Sequence, residues 1–586
     1  NQSLPTGENY ILSVTPLDPT TRVSINNGQI AVSNGVRTRT TIQYIDGLGR
    51  VDEIIALGVT PDDKDLVSVT DYHGKRMVAR QWCPVVAETE GQRMDITSVQ
   101  SQAQTDYSDD YPYNETTYEN SAIGRPVVQA KPGAAYNGRQ ATQSYDFNSA
   151  NEVRIFTVDN SSGALKADGS YYTAYTLYKN TTSDEDGKSV TTYTDKQGRK
   201  VMEKRDNSHS YYVYDDLGRL RFMIPNLPAS RLTNGTYSLN DSILKAVAYC
   251  YMYDARGNMI YKRLPGCEPQ RMVFDQIGQL ILKQDGNQHL QNKWTLCAYD
   301  SVGRNVYIAE LPLPQNHDYY LALFENMWYV EHYGDNPAAY SFAGTGYAST
   351  VLGKNGLRLL IVNYYDNHDY LKRRLTTEMR QHLRYQQEPG YSLQYDSVVG
   401  LLTGTLIYNL SETSYTAKSY FYDSYGHVVQ TRSICSNGEY KSATSSEYHF
   451  DGSIAQQLTT QGSDSNLVRE HYRYTHDRAG RTKQTYYQLN SEDEIILSEY
   501  SYDNTGRLVQ NLLCNRQDTI HYSYDMRNML TETRNRHFTE RLFYADSLPQ
   551  SATACYNGNI AALRIDQMDS VVTFAYTYDA CNRLKT

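Results

Sequence analysis

The chain has 586 residues, and no apolar run in it approaches the roughly 20 residues a membrane-spanning helix needs. It also has no basic cluster. The 56 lysines and arginines and 66 aspartates and glutamates are interspersed, for a net charge of −10. Nothing here supplies the counterion release that drives nucleic-acid binding. No His-Glu-x-x-His, Gly-x-Ser-x-Gly or phosphate-loop pattern occurs, and Gly-Lys-Asn-Gly at 353–356 reads as a turn. The cysteines (Cys83, Cys250, Cys267, Cys297, Cys435, Cys514, Cys555 and Cys581) form no Cys-x-x-Cys pair and none stands at zinc spacing from histidine. In a chain of this size they are expected as small buried hydrophobes on strands rather than as disulfides. His317 beside Asp318, and Glu331 beside His332, belong to no motif and read as surface or packing residues. No pair of carboxylates is nominated for glycoside hydrolysis. Catalytic residues, metals and cofactors are all expected to be absent.

Tryptophan and phenylalanine are scarce, at 3 and 11 residues, while tyrosine reaches 55. A ring carrying a hydroxyl suits a pleated surface that is half buried and half wet, which favours an all-β fold. The tyrosines are periodic. Aromatic-x-Tyr-Asp-x-x-Gly-Arg recurs in YIDGLGR at 44–50, YTDKQGR at 193–199, YVYDDLGRL at 212–220, YMYDARGNM at 251–259 and VFDQIGQL at 273–280. It continues in AYDSVGR at 298–304, YFYDSYGHV at 420–428, THDRAGR at 475–481 and YSYDNTGRL at 500–508. Weaker copies are TDYHGKR at 70–76, YSYDMRNML at 522–530 and YTYDACNRL at 576–584. Adjacent aspartates lie about 20 to 26 residues apart, a spacing typical of repeat arrays.

One unit reads as a hairpin. Tyr-x-Tyr places two rings on one face of a strand. Aspartate opens a turn by accepting from backbone N–H groups ahead of it, and glycine three residues later supplies a cheap positive φ. The turns are therefore assigned to Asp46 and Gly49, Asp215 and Gly218, Asp254 and Gly257, Asp275 and Gly278, Asp300 and Gly303, Asp423 and Gly426, and Asp503 and Gly506. Asn528 and Asn582 replace the glycine, and asparagine tolerates the same conformation. One aspartate per motif is too few for a calcium loop, and the arginines after the turns read as solvated or cross-strand partners rather than glycan ligands. A lone hairpin is marginal, so units are expected to pair edge to edge and bury their tyrosine faces together.

About a dozen such copies resemble the YD repeats of Rhs, teneurin and insecticidal toxin-complex proteins, over roughly residues 186–586 with one interruption. The N-terminal part is similar to a domain that precedes YD repeats in Bacteroidetes-type proteins. The matching stretches are Glu8-Asn9-Tyr10-Ile11, Thr15-Pro16-Leu17, IQYIDGLGR at 42–50 and GVTPDDKDLVSVTDYHGKR at 58–76 with the following QWCPV, together with GLLTGT at 400–405 and YNGNIAALR at 556–564. The resemblance implies a long curling antiparallel sheet forming part or all of a hollow β-shell, or cocoon, around a C-terminal effector or toxin. It also implies a secreted or cell-surface location. The chain opens on Asn1, so a processed or excised N-terminus is expected; the family's self-cleaving C-terminal core is expected to lie past Thr586.

Five stretches are expected: an N-terminal β domain over 1–100, a polar β-rich connection over 101–185, repeats over 186–310, an insertion over 311–395 and repeats over 396–586. RIFTV at 154–158 and YYTAYTLY at 171–178 alternate like strands, and one or two short helices are placed in the insertion, within 316–333 and 369–385. The insertion is expected to decorate the shell rather than plug or line it. The leading function is a shell that encloses and presents an effector. The rival is an extracellular module binding glycans or cell-surface proteins, and an enzyme such as a glycosidase comes third.

Overall fold

A computed structural model describes the chain except residues 1–6, 19–22, 27–28, 33–35, 74–76, 226–230, 335–344, 349–351, 353–355, 373–374, 411–413, 569 and 586. The end of the TDYHGKR turn and most of Gly-Lys-Asn-Gly therefore lie outside the described residues. The fold is all-β. One antiparallel sheet takes 35 strands, and strands adjacent in sequence are, with few exceptions, adjacent in the sheet. Tyr178–Ser183 pairs with Ser189–Thr194, which pairs with Lys200–Arg205, which pairs with Ser208–Tyr214. The sheet curls far enough for its late turns to meet its beginning. Arg481 Nη2 donates to the Val59 carbonyl at 3.1 Å, and the Tyr556 amide donates to Asp186 at 2.8 Å. Arg527 lies 3.9 Å over the ring of Tyr136.

The register shows which residues form the core. In Ser208–Tyr214 burial alternates, and Tyr211 and Val213 are buried while Tyr212 and Tyr214 are half-buried. The residue between the two tyrosines therefore points to the core, and the expectation that tyrosine faces are buried together is corrected. Both rings of the motif stand on the opposite face, where a hydroxyl can reach polar partners. Directly paired residues share a face. A single cross-strand row runs Ala298, Tyr307, Val362, Leu406, Ala417, Ile434, and every member is at most 5% exposed.

That face is covered. The 311–395 stretch contributes helix α4 (His317–Phe324) and helix α5 (Thr377–His382), with a tight 3₁₀ turn at Asp369–Lys372; α1 (Ile96–Tyr107), α2 (Ser242–Val247) and α3 (Gly286–Leu290) precede them outside it. Tyr320, Phe324, Tyr329, Tyr370, Leu371, Met379 and Leu383 enter one core with Trp294, Leu296 and Leu311 of the sheet. The insertion thus covers the sheet and is not decoration. Both helices expected there are shorter than the apolar stripes suggested, because Glu325–Asn326 and Leu383–Arg384 end the helical hydrogen bonding.

Two further readings are corrected. YYTAYTLY at 171–178 forms a strand only from Tyr178; after a single bridge at Tyr171 the residues 172–177 are loop, where the Asn148 side chain accepts from the Thr176 and Leu177 amides and holds the backbone away from a ladder. The cysteines are all free thiols, but Cys267 and Cys514 are exposed because both sit in turns; Cys514 itself has φ +48°.

Candidate functional site: turn clamps and an open polar wall

All seven assigned turns have one geometry. The glycine amide donates back to the aspartate carbonyl in each, at 2.8 to 3.3 Å, for Asp46–Gly49, Asp215–Gly218, Asp254–Gly257, Asp275–Gly278, Asp300–Gly303, Asp423–Gly426 and Asp503–Gly506. The seven glycines have φ between +76° and +91°, the left-handed value that closes a three-residue hairpin loop with a bulge. Asn528 and Asn582 hold the same region at +65° and +58°. Each aspartate caps its own turn: Asp215 Oδ1 accepts from the amides of Leu217 and Arg219 at 3.1 and 2.9 Å.

The arginine four residues on closes the turn and ties it to the next hairpin. Arg50, Arg199, Arg219, Arg304, Arg481, Arg507 and Arg583 each donate Nε to the turn aspartate's second oxygen at 2.6 to 2.9 Å. The guanidinium then faces a tyrosine of the following hairpin, as Arg50 does over Tyr72 at 4.0 Å and Arg481 over Tyr502 at 4.6 Å. That tyrosine donates its hydroxyl to the backbone carbonyl five residues past the earlier aspartate. Tyr253 reaches Leu220 and Tyr299 reaches Leu280, at 3.0 and 3.2 Å, and Tyr448 reaches Val428 and Tyr502 reaches Thr482, at 3.0 and 2.7 Å. Tyr-Asp-x-x-Gly-Arg is therefore a clamp shared by two hairpins. The sequence reading had these arginines solvated or paired across strands; their constant offset of four from aspartate was the missed signal of a partner within the turn.

The electrostatics follow this geometry. Hydrogen bonds from the Arg50 side chain and amide hold Asp46 down to about 2. Burial alone would raise Asp503, but the amide and guanidinium of Arg507 outweigh it and its pKa is lowered. Burial pushes Tyr299 up to about 12, so its phenol remains a donor at any physiological pH. No group of three or more metal-ligating side chains occurs among the described residues. Glu331 is buried and accepts from the hydroxyls of Tyr307 and Tyr329, each at 2.5 Å, so it belongs to the core rather than the surface.

Beyond residue 445 the core face changes character. From Phe421 the register steps through Gln430, Ser445, Leu458 and His471 to Gln488, so the face is continuous. Further on, one row reads Ser501, Gln510, His521, Arg534 and the next reads Ser523, Glu532, Arg541, Arg564. Past Leu458 the buried apolar residues among those described are Cys555, Ala561 and Ala562 alone. The exposed charges pair along the face. Arg541 reaches Glu532 at 2.9 Å and Asp566 at 2.8 Å, and Arg564 reaches Asp566 at 2.7 Å. Arg473 lies 3.7 Å over Tyr486. The described helices pack on other strands: α1 on Met77–Trp82 and Val85–Ala87, α3 on Lys293–Tyr299, α4 on Gln270–Phe274 and α5 on Val428–Cys435.

A sheet of clamped hairpins with a partly covered, partly open face defines a class of architecture, and solved structures share it. The chain aligns with "Crystal Structure of TcdB2-TccC3-Cdc42" at TM-score 0.59 and 13% identity, covering 94% of this chain and 23% of that one. It aligns with "Structure of Photorhabdus luminescens Tc holotoxin pore, Mutation TccC3-D651A" at TM-score 0.59 and 13% identity, over 98% of this chain and 24% of that one. "Crystal Structure of TcdB2-TccC3 without hypervariable C-terminal region" matches equally, at 0.59 and 13%, over 94% and 23%. The fold is thus that of part of the TcdB2–TccC3 structures, the Rhs-like shell architecture, and the chain spans about a quarter of those chains. Within it, residues 18–149 match a family described as a domain of unknown function, DUF6443. No curated protein matches the chain in sequence. No described helix is long and apolar enough to cross a membrane.

Proposed function

We propose that this chain is a shell segment of a secreted Rhs-type protein, and that its open wall faces an enclosed C-terminal effector or toxin polypeptide. The observation that carries the reading is the change along one sheet face, from a covered apolar core at 298–434 to an uncovered polar wall at 475–566. An apolar face left uncovered would be sticky. Here glutamine, serine, paired arginine and glutamate replace valine and phenylalanine, which lets a polypeptide lie close without being trapped. The fold likeness to the TcdB2–TccC3 structures supports the reading. Containment requires no chemistry from the shell itself, so the segment is assigned no catalytic residue.

The test uses the complete polypeptide as its gene encodes it, under limited proteolysis. Any segment following Thr586 should resist protease while the repeats are intact and be cut once the sheet is opened by denaturant. A segment cut as fast as the isolated peptide, or no following segment and no co-purifying polypeptide, would overturn the proposal.

A further inference from the structure

The cover over the early part of the sheet has a gap. α2 covers the face on one side and α4 on the other. Between them runs the cross-strand row Met252, Tyr261, Arg271, Gln284, in which the first three are half-buried and Gln284 is buried against the Lys293 carbonyl. Two adjoining cavities, of about 470 and 660 Å³, share Tyr261 and Arg271 as a common wall. Trp294 and His317 close the smaller one, and Arg263 and Lys245 line the larger.

The polar groups here are unusual for this sheet, where each turn arginine has its aspartate. Arg263 is 2% exposed and is held by the Leu239 carbonyl and the Cys250 sulfur, yet its Nε is buried with no partner. Arg271 Nη1 is likewise buried and unpartnered. Leaving a charged donor unpaired away from water is costly. The two carboxylates that line the cavities, Glu268 and Asp318, are exposed at the rim. His317 is tied through Nε2 to the Met272 carbonyl at 2.9 Å, and burial lowers its pKa.

We propose that this gap is a binding site for a carboxylate-bearing ligand, with Arg271 gripping the carboxylate, the buried Arg263 adding positive charge behind it and Tyr261 flanking the ligand's apolar part. A guanidinium fork matches a planar carboxylate in two hydrogen bonds. The site is complete within residues 239–321, so it stands or falls independently of the shell reading. Its ligand is either a free small acid or an acidic side chain of a polypeptide.

Isothermal titration of the whole chain separates these sources, with succinate and a hexaglutamate peptide as probes and sodium chloride at matched ionic strength as control. Saturable heat is expected with at least one probe. Tighter succinate binding assigns a free acid, and tighter peptide binding assigns a polypeptide side chain. Arg271→Gln, with its circular dichroism unchanged, should weaken binding roughly ten- to a hundredfold, the equivalent of one charge-assisted hydrogen bond. Should that variant misfold, Arg271→Lys keeps the charge but not the fork, and should still bind several-fold more weakly. No saturable heat with either probe, or wild-type affinity in a folded variant, would overturn the proposal.

Discussion

Residues 211–434 and residues 475–566 lie in one sheet, but only the first stretch has a buried core. In the first, Tyr307, Val362 and Ala417 are wholly buried under α4, α5 and the loops between them. In the second, Gln510, His521 and Glu532 stand on the same face half exposed. The strands nonetheless continue with the same turns and the same tyrosine latches. Hairpin pairing in this protein is therefore carried by the clamps at the sheet's edge, and the core adds stability only where a cover exists.

The largest effect should separate the two regions. Phe222→Ala, at a fully buried site, should cost about 3–5 kcal/mol, whereas Leu512→Ala on the open wall should cost about 1 kcal/mol. Urea unfolding followed by regional hydrogen exchange measures both, and equal costs would show that the wall is covered in solution. The next effect should unite them. Gly257→Val and Gly506→Val force a β-branched residue to φ +90° and +91°, at about 1–3 kcal/mol each in either region. Variants that melt like the parent would refute the role of the left-handed turn.

What was legible in the sequence follows the same division. The turn is a local device: at Asp215 and Gly218 every hydrogen bond that defines it lies within five residues. The all-β class was legible for the same reason. The core face was not, because tyrosine dominates the composition while Val213, Val273 and Ala298, each two residues before a turn aspartate, carry the burial, and only register reveals that. Helix α1 escaped because its twelve residues offer only Val99 and Ala103 to the core; Asp95, capping the Thr97 and Ser98 amides, was its one signal. The polar wall was beyond reach, since Gln484 and Glu499 become neighbours only through pairing.

Smaller effects test the clamp itself. Tyr253→Phe and Tyr502→Phe each remove one hydroxyl-to-carbonyl bond and should cost about 1 kcal/mol in both regions, read as a shift in urea midpoint. A loss confined to the covered half would mean that the latch acts only through the core. The smallest concerns acid. Asp46 is held at about 2 in the folded chain, below its value of 3.8 when unfolded, so its contribution is complete above pH 4 and fades as pH falls toward 2. The stability gap between the parent and Asp46→Asn should shrink over that window, as should the gap for Asp503→Asn, whose carboxyl is also lowered. A gap that widens with acid would reverse the assigned sign.

Pairing in sequence order also governs how such a chain is made. Because Tyr178–Ser183, Ser189–Thr194 and Lys200–Arg205 each need only the strand before them, the sheet can zip up vectorially behind a ribosome or a translocation channel. The seam in which Arg481 meets Val59 and Tyr556 meets Asp186, across 422 and 370 residues, closes only after those late turns emerge and is the last stitch. Pulled from its far end, the same chain would unspool hairpin by hairpin once that stitch was cut.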